Sequence, residues 1–260
     1  MRHLGLALSS GGARGAAQIG VLRALEEAEI PVHAIAGVSV GAQVGGLYAA
    51  GVPLTDIEEL WARLGAAQMA RGLLPTFPYR GWSAGQEVVR GVREMVGDLR
   101  VENTLIRFVA VATDLATGQT VTLDRGALVD AVRASTAIPG LFTPARVNGR
   151  LLVDGGLSSP LPVNIARELG SEVVLGVDVL ASPAEKALRR PNVFTILLQM
   201  STIFQKRIAE LQVEQETPDL LVRPDFGSCP PSYGTAGNGV EVGYRAATAT
   251  LPKLNSLLHF

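Results

Sequence analysis

The sequence predicts an α/β fold: one three-layer sandwich built on a mostly parallel central sheet. Three observations carry this. Residues 4–8 and 33–38 are short apolar runs, each followed by a glycine-rich turn and then by a helical pattern. The alternation returns at residues 107–113 and 172–177, and strands alternating with helices are the mark of a parallel sheet with crossover helices. Hydrophobic residues make up 47% of the 260, with no uncharged apolar run of about 18 residues, so the apolar surface belongs to a buried core and not to a membrane span.

The first strand, 4–8, passes through Ser9-Ser10 into Gly11-Gly12-Ala13-Arg14-Gly15, and an amphipathic helix over about 16–28 ends at Ile30-Pro31. The opening residues have the short apolar core of a signal peptide, but they run into glycines and Arg14 with no cleavage pattern, which assigns them to a strand. The second strand closes on Gly37-Val38-Ser39-Val40-Gly41, and a small-residue helix continues to Ala50. Residues 55–64 form a helix with Thr55 as N-cap and Asp56, Glu58 and Glu59 in its first turns. Residues 65–85 are irregular and carry Phe77, Tyr79 and Trp82, either tucked into the core or set in a flap or interfacial patch.

Helix returns over 86–96. The strand 107–113 ends at Asp114, with a hairpin partner at 119–123 across Ala116-Thr117-Gly118. A helix over 127–134 breaks near Ile138-Pro139-Gly140. Residues 146–153 form two short strands around the turn pair Asn148-Gly149, the second ending at Asp154-Gly155-Gly156. Pro162 opens a helix to about 169, and 172–177 is a buried strand ending at Asp178. A long helix over 192–216, a strand at 219–223, a loop over 224–237 and a closing helix over 239–258 complete the chain. No repeat, linker or shift of composition marks a second domain. Residues 1–260 are therefore expected to fold as one domain, with a motif-bearing core over about 4–180 and a helical and strand extension over about 190–260.

A net charge of −1 and no basic run longer than Arg189-Arg190 argue against nucleic acid as a partner. Transient contact with a membrane surface needs only a local patch and stays within expectation. The lone Cys229 excludes an internal disulfide and fits a reducing compartment, so the expected location is cytoplasmic or peripheral to a membrane.

Ligands of open α/β sheets sit outside the carboxyl ends of the strands, where the Gly11-Gly12 loop, Ser39, Asp114, Asp154 and Asp178 are all expected. A serine nucleophile needs a base. The chain has three histidines: His3 precedes strand one and His33 opens strand two, both at the wrong end of the sheet, and His259 is next to last. The base would then be a carboxylate. Spacing does not choose among the three aspartates, although Gly155-Gly156 favours Asp154 by allowing close approach. The glycine loop could cradle an oxyanion or a phosphate. No G-x-x-x-x-G-K-[ST] is present, and the dinucleotide fingerprint fails at Ser10.

Three ordered segments resemble the patatin-like phospholipase family: Ser10-Gly11-Gly12-Ala13-Arg14-Gly15, Gly37-Val38-Ser39-Val40-Gly41 and Asp154-Gly155-Gly156. The likeness extends through Ala-Ala-Gln-Ile-Gly-Val-Leu after Arg14, Val132 to Phe142, and Pro-Leu-Pro-Val after the Asp-Gly-Gly, covering about residues 4–180. The resemblance implies a Ser39–Asp154 dyad, an oxyanion loop of Gly11, Gly12, Ala13 and Arg14, and supporting glycines at Gly15, Gly37, Gly41, Gly155 and Gly156. It also implies hydrolysis of acyl lipid esters through an acyl-serine, with no cofactor and no metal. Low-turnover lipid binding and acyl transfer are the alternatives. Ser10 departs from the family, whose loop opens on glycine; a positive φ at that position would strain a serine.

Overall fold

The apolar runs of the sequence become the strands of one mixed sheet. A computed structural model describes residues 2–70, 86–180, 193–227 and 236–259. Its strands are β1 (Leu4–Leu8), β2 (Val32–Val38), β3 (Arg107–Asp114), β4 (Thr120–Leu123), β5 (Ala145–Val147), β6 (Arg150–Asp154), β7 (Val173–Val177) and β8 (Leu220–Val222). Its helices are α1 (Ala16–Glu27), α2 (Val40–Ala49), α3 (Leu54–Ala70), α4 (Gln86–Val96), α5 (Leu128–Ser135), α6 (Val163–Glu168), α7 (Val193–Glu216), α8 (Ala236–Thr248) and α9 (Leu251–Leu258).

Among the described residues the strand order is β5-β6-β3-β2-β1-β7-β8, with β4 also on β3. Strands β3, β2, β1, β7 and β8 run parallel, whereas β4 and β6 are antiparallel to β3 and β5 is antiparallel to β6. The edge that carries β6 owes its direction to the β5–β6 hairpin. Asn148 and Gly149 turn it with φ of 49° and 78°, the left-handed pair that a two-residue hairpin requires.

Alternation along β1 sorts the layers. Leu4, Leu6 and Leu8 enter the larger core with α1, α2, α3, α5, α8 and α9, while Ala7 faces a smaller cluster formed with Ala36, Val109, α6 and Ala209 of α7. Small residues on that second face let α6 and α7 lie close to the sheet. The outer side of α7 exposes Val193, Ile196, Leu197, Met200, Ile203 and Phe204, spaced to form one apolar stripe. No helix among the described residues is long and apolar enough to cross a membrane.

Two helix boundaries differ from expectation. Thr55 is not an N-cap: the Pro53 carbonyl accepts from the Asp56 and Ile57 N–H groups, so the helix starts earlier and runs on to Ala70, with the Thr55 hydroxyl turned to Asp56 Oδ1 at 3.2 Å. The expected closing helix is two, because Pro252 sits in the first turn of α9 and has no N–H to continue the ladder from α8. The Phe77–Trp82 stretch and Cys229 lie outside the described residues.

Helices α1 and α8 cross backbone to backbone. A β-carbon on Gly20 would collide with the Val240 carbonyl, and one on Gly243 with the Ala17 carbonyl. Alanine would improve helix propensity by about 1 kcal/mol, yet overpacking typically costs about 1–3 kcal/mol and more where backbone must move. Gly243→Ala is therefore expected to lower the unfolding free energy in a urea titration; unchanged or higher stability would contradict this crossing.

Candidate active site

The partners of β3 bring the site together. Strand β4 pairs with residues 110–113 of β3, β2 with 107–111 and β6 with 112–114. A strand has only two edges, so β2 and β6 must share the one opposite β4. Val38, the last residue of β2, pairs with Val111, and Asp154, the last of β6, pairs with Ala112. The two strands run toward each other and meet end to end, with Ser39 and Asp154 at the joint.

The Ser39 hydroxyl donates to Asp154 Oδ2 at 2.6 Å, and both residues are buried, at 6% and 2% exposure. Asp154 Oδ1 accepts from the Gly156 N–H at 2.8 Å. Its backbone is held on both sides, by the Ala137 carbonyl accepting from its N–H at 2.9 Å and by the Thr113 hydroxyl donating to its carbonyl at 3.0 Å. Burial pushes the Asp154 carboxyl up to about 6, against the downward pull of the hydrogen bonds from Ser39 and Gly156.

Ser39 occupies a bend with φ 54° and ψ −116°, a region that non-glycine residues adopt at a cost of about 1–3 kcal/mol. Its neighbours hold it there. The Ser39 N–H donates to Ser135 Oγ at 2.8 Å, and the Ser135 hydroxyl donates onward to the Val111 carbonyl at 2.6 Å. The Ser39 carbonyl accepts from the Ala42 and Gln43 N–H groups, starting α2. Close approach explains the flanking glycines: a β-carbon on Gly41 would strike the Leu8 and Ser9 carbonyls, and one on Gly37 the Gly41 carbonyl. Gly15 is packed in the same way against Val40, Gly155 against the Val111 carbonyl and Gly156 against Gln205.

The loop after β1 lies beside the joint, since Gly41 of α2 packs on its first residues. Gly12 has φ +57°, and a β-carbon there would meet open space. A 3-10 turn spans Gly12–Gly15; the Arg14 N–H turns back to the Gly11 carbonyl at 3.3 Å. The N–H groups of Gly11, Gly12 and Ala13 precede that bond and have no partner within the turn. The half-buried Arg14 guanidinium lies over the Phe226 ring, 5.2 Å from its centre. Ser10 is not among the residues with positive φ, so serine fits there without strain.

The other aspartates are occupied elsewhere. Asp114 Oδ1 accepts from the Ala116 and Thr117 N–H groups in the β3–β4 turn. Asp178 accepts from Leu180 N–H, Lys206 and Arg223. His3 and His33 stack at 4.1 Å at the amino ends of β1 and β2. His259 caps α9, whose Leu258 carbonyl accepts from the Arg2 N–H, and so lies toward that same end. Ser135 lies within the Val132–Phe142 stretch of the family likeness but nothing in the sequence gave it a role, and Thr113, a threonine in a strand, carried no signal.

The patatin-like phospholipase model matches residues 6–167. A Mycobacterium tuberculosis protein named as an uncharacterized member of the NTE family is 42% identical over 193 residues, covering 74% of this chain and 53% of that relative. A Neurospora crassa protein named lysophospholipase nte1 is 33% identical over 181 residues, covering 68% of this chain and 12% of its own length. The chain thus spans about half the mycobacterial relative and a small part of the fungal one. The crystal structure of VipD from Legionella pneumophila shares the fold, with a TM-score of 0.52 and 15% identity over 97% of this chain and 67% of that one.

Ser135→Ala leaves the Ser39 N–H and the Val111 carbonyl without their hydroxyl partner. The expected loss of unfolding free energy is about 1–3 kcal/mol, measured by urea titration. A variant as stable as the parent would mean that Ser135 does not hold the bend.

Proposed function

The chain belongs to the patatin-like phospholipase family, and on that premise we propose that it is a serine acyl hydrolase acting on phospholipid or lysophospholipid esters through a Ser39–Asp154 dyad. The observation that carries the proposal is the 2.6 Å bond from the Ser39 hydroxyl to Asp154, with all three histidines toward the far end of the sheet. A carboxylate is ordinarily a weak base for a hydroxyl, with a free pKa of about 3.9. Burial raises Asp154 to about 6, which improves proton transfer while leaving it mostly ionised at neutral pH.

The reaction runs in two halves. Ser39 Oγ attacks the ester carbonyl as its proton passes to Asp154. The negative charge moving onto the carbonyl oxygen is met by the N–H groups of Gly11, Gly12 and Ala13, with Arg14 closing the turn that presents them. The C–O bond breaks, the leaving alcohol takes the proton from Asp154, and an acyl ester remains on Ser39. Water then attacks that ester with Asp154 again accepting a proton, which returns to Ser39 as the fatty acid leaves. Each oxyanion donor in such a loop is typically worth about 3–4 kcal/mol of barrier.

A fluorophosphonate probe is expected to label Ser39 and no other serine. Ser39→Ala and Asp154→Asn are each expected to lower p-nitrophenyl ester hydrolysis at least about a thousandfold while the proteins stay folded by circular dichroism. Turnover that survives either change would overturn the dyad. A wild-type protein with no Ser39-dependent turnover would instead favour lipid binding without catalysis. Product appearing on an added lysolipid acceptor would favour acyl transfer.

The pH dependence has a definite sign. The base must be ionised, so kcat/KM is expected to fall tenfold per pH unit below about 6, the value to which burial raises Asp154. Stability changes the other way, because the raised carboxyl binds its proton more tightly when folded. That contribution is full below about pH 4, the unfolded value, and is lost as pH rises through about 6. Activity on a short p-nitrophenyl ester between pH 4 and 8 checks the first; a flat profile would mean that another group is the base.

A further inference from the structure

Helix α7 approaches the joint from the face of the sheet that carries the smaller core cluster, and Gln205 is a side chain that links it to the site. The Ser10 hydroxyl donates to Gln205 Oε1 at 2.6 Å, and Gln205 Nε2 donates to Ser201 Oγ at 2.9 Å, one turn back along α7. The same amide closes over the turn after the acid: a β-carbon on Gly156 would lie 2.7 Å from Gln205 Oε1 and 3.0 Å from Asp154 Oδ1. Gln205 therefore touches both the residue that enters the Gly11–Gly12 loop and the glycine whose N–H holds Asp154.

Among the described residues the other hydrogen bonds of Ser10 run through its backbone, its N–H donating to the Pro160 carbonyl at 3.0 Å and its carbonyl accepting from the Ser9 hydroxyl at 2.7 Å. Beyond it come Gly11, backed against Val179, and Gly12, at φ +57° beside open space. Such a segment has little stiffness of its own, yet its amides must stand where the charge will form. With the family's glycine at position 10 there would be no hydroxyl for Gln205 to hold, so this tie belongs to the pair Ser10 and Gln205 together.

We propose that Gln205 is a positioning residue: through the Ser10 hydroxyl it holds the Gly11–Gly12 amides in register with Ser39 and Asp154. It touches neither the substrate nor the reacting atoms. The inference rests on the hydrolase proposal and adds to it a residue from the C-terminal part of the chain, beyond the segment matched by the family model.

The test compares kcat and KM for a p-nitrophenyl ester in the full chain. Gln205→Ala and Ser10→Ala are each expected to lower kcat about ten- to a hundredfold, the scale of a misplaced catalytic group, with KM within about twofold. Because both act through one bond, the double variant should be no slower than the slower single variant. The loss should appear in kcat and not in the pH at which kcat/KM falls, because losing the tie moves the loop and leaves the Asp154 carboxyl unchanged. Should Gln205→Ala fold poorly, Ser10→Ala removes the same bond from the other side and is read in its place.

A merely structural tie would lower the urea midpoint and leave kcat per folded, probe-labelled molecule unchanged. That result, or additive losses in the double variant, would overturn the inference and leave the dyad standing. A wild-type protein without Ser39-dependent turnover would overturn both.

Discussion

The end-to-end meeting of β2 and β6 along one edge of β3 is the constraint on which the site depends. Parallel β2 stops at Val38 opposite Val111, and antiparallel β6 stops at Asp154 opposite Ala112. Neighbouring positions on β3 thus set the separation of a serine and an acid that lie 115 residues apart. Because both strand ends are hydrogen-bonded to the same strand, the short contact between the two side chains needs no flexible element to form it.

That joint is costly to build, and its surroundings offset the cost. Ser39 takes a backbone conformation that serine rarely adopts, and Asp154 is buried with an ionisable carboxyl. Ser135 answers the first by accepting from the Ser39 N–H while donating to β3. Gly156, Thr113 and the Ala137 carbonyl answer the second by holding the acid at its side chain, its carbonyl and its N–H. Desolvation still wins over the hydrogen bonds at the carboxyl, which leaves Asp154 near 6. A carboxyl of that strength suits the proposed role of Asp154 as a base acting on Ser39 without an intervening imidazole.

Much of the frame was legible from local pattern. The apolar runs at 4–8 and 33–38 are β1 and β2, and the hairpins around Ala116-Thr117-Gly118 and Asn148-Gly149 stand where their turn residues put them. Boundaries suffered where a proline intervened. Pro53 starts α3 ahead of Thr55, and Pro252 divides the last helix, because a residue without an N–H changes the hydrogen-bond ladder more than apolar periodicity reveals. Spacing alone gave Asp114 and Asp178 the same standing as Asp154, which only the glycines after it and the family resemblance set apart. Only the turn amides around the first and the cations around the second show that each is otherwise engaged.

By itself the sequence determined the alternation of strands and helices, the glycines at the bend and the loop, and a set of histidines in the wrong places for a triad. These are local properties, set by side-chain period, by the absence of a β-carbon and by position relative to strand ends. The resemblance pointed to Asp154, but the contact it makes with Ser39, the residues that clamp the two and the way α7 reaches the Gly11–Gly12 loop were decided only by tertiary structure. Register between distant strands is a property of hydrogen bonds that no single segment contains, and the meeting of Ser39 with Asp154, like that of Ser10 with Gln205, exists only once those bonds are made.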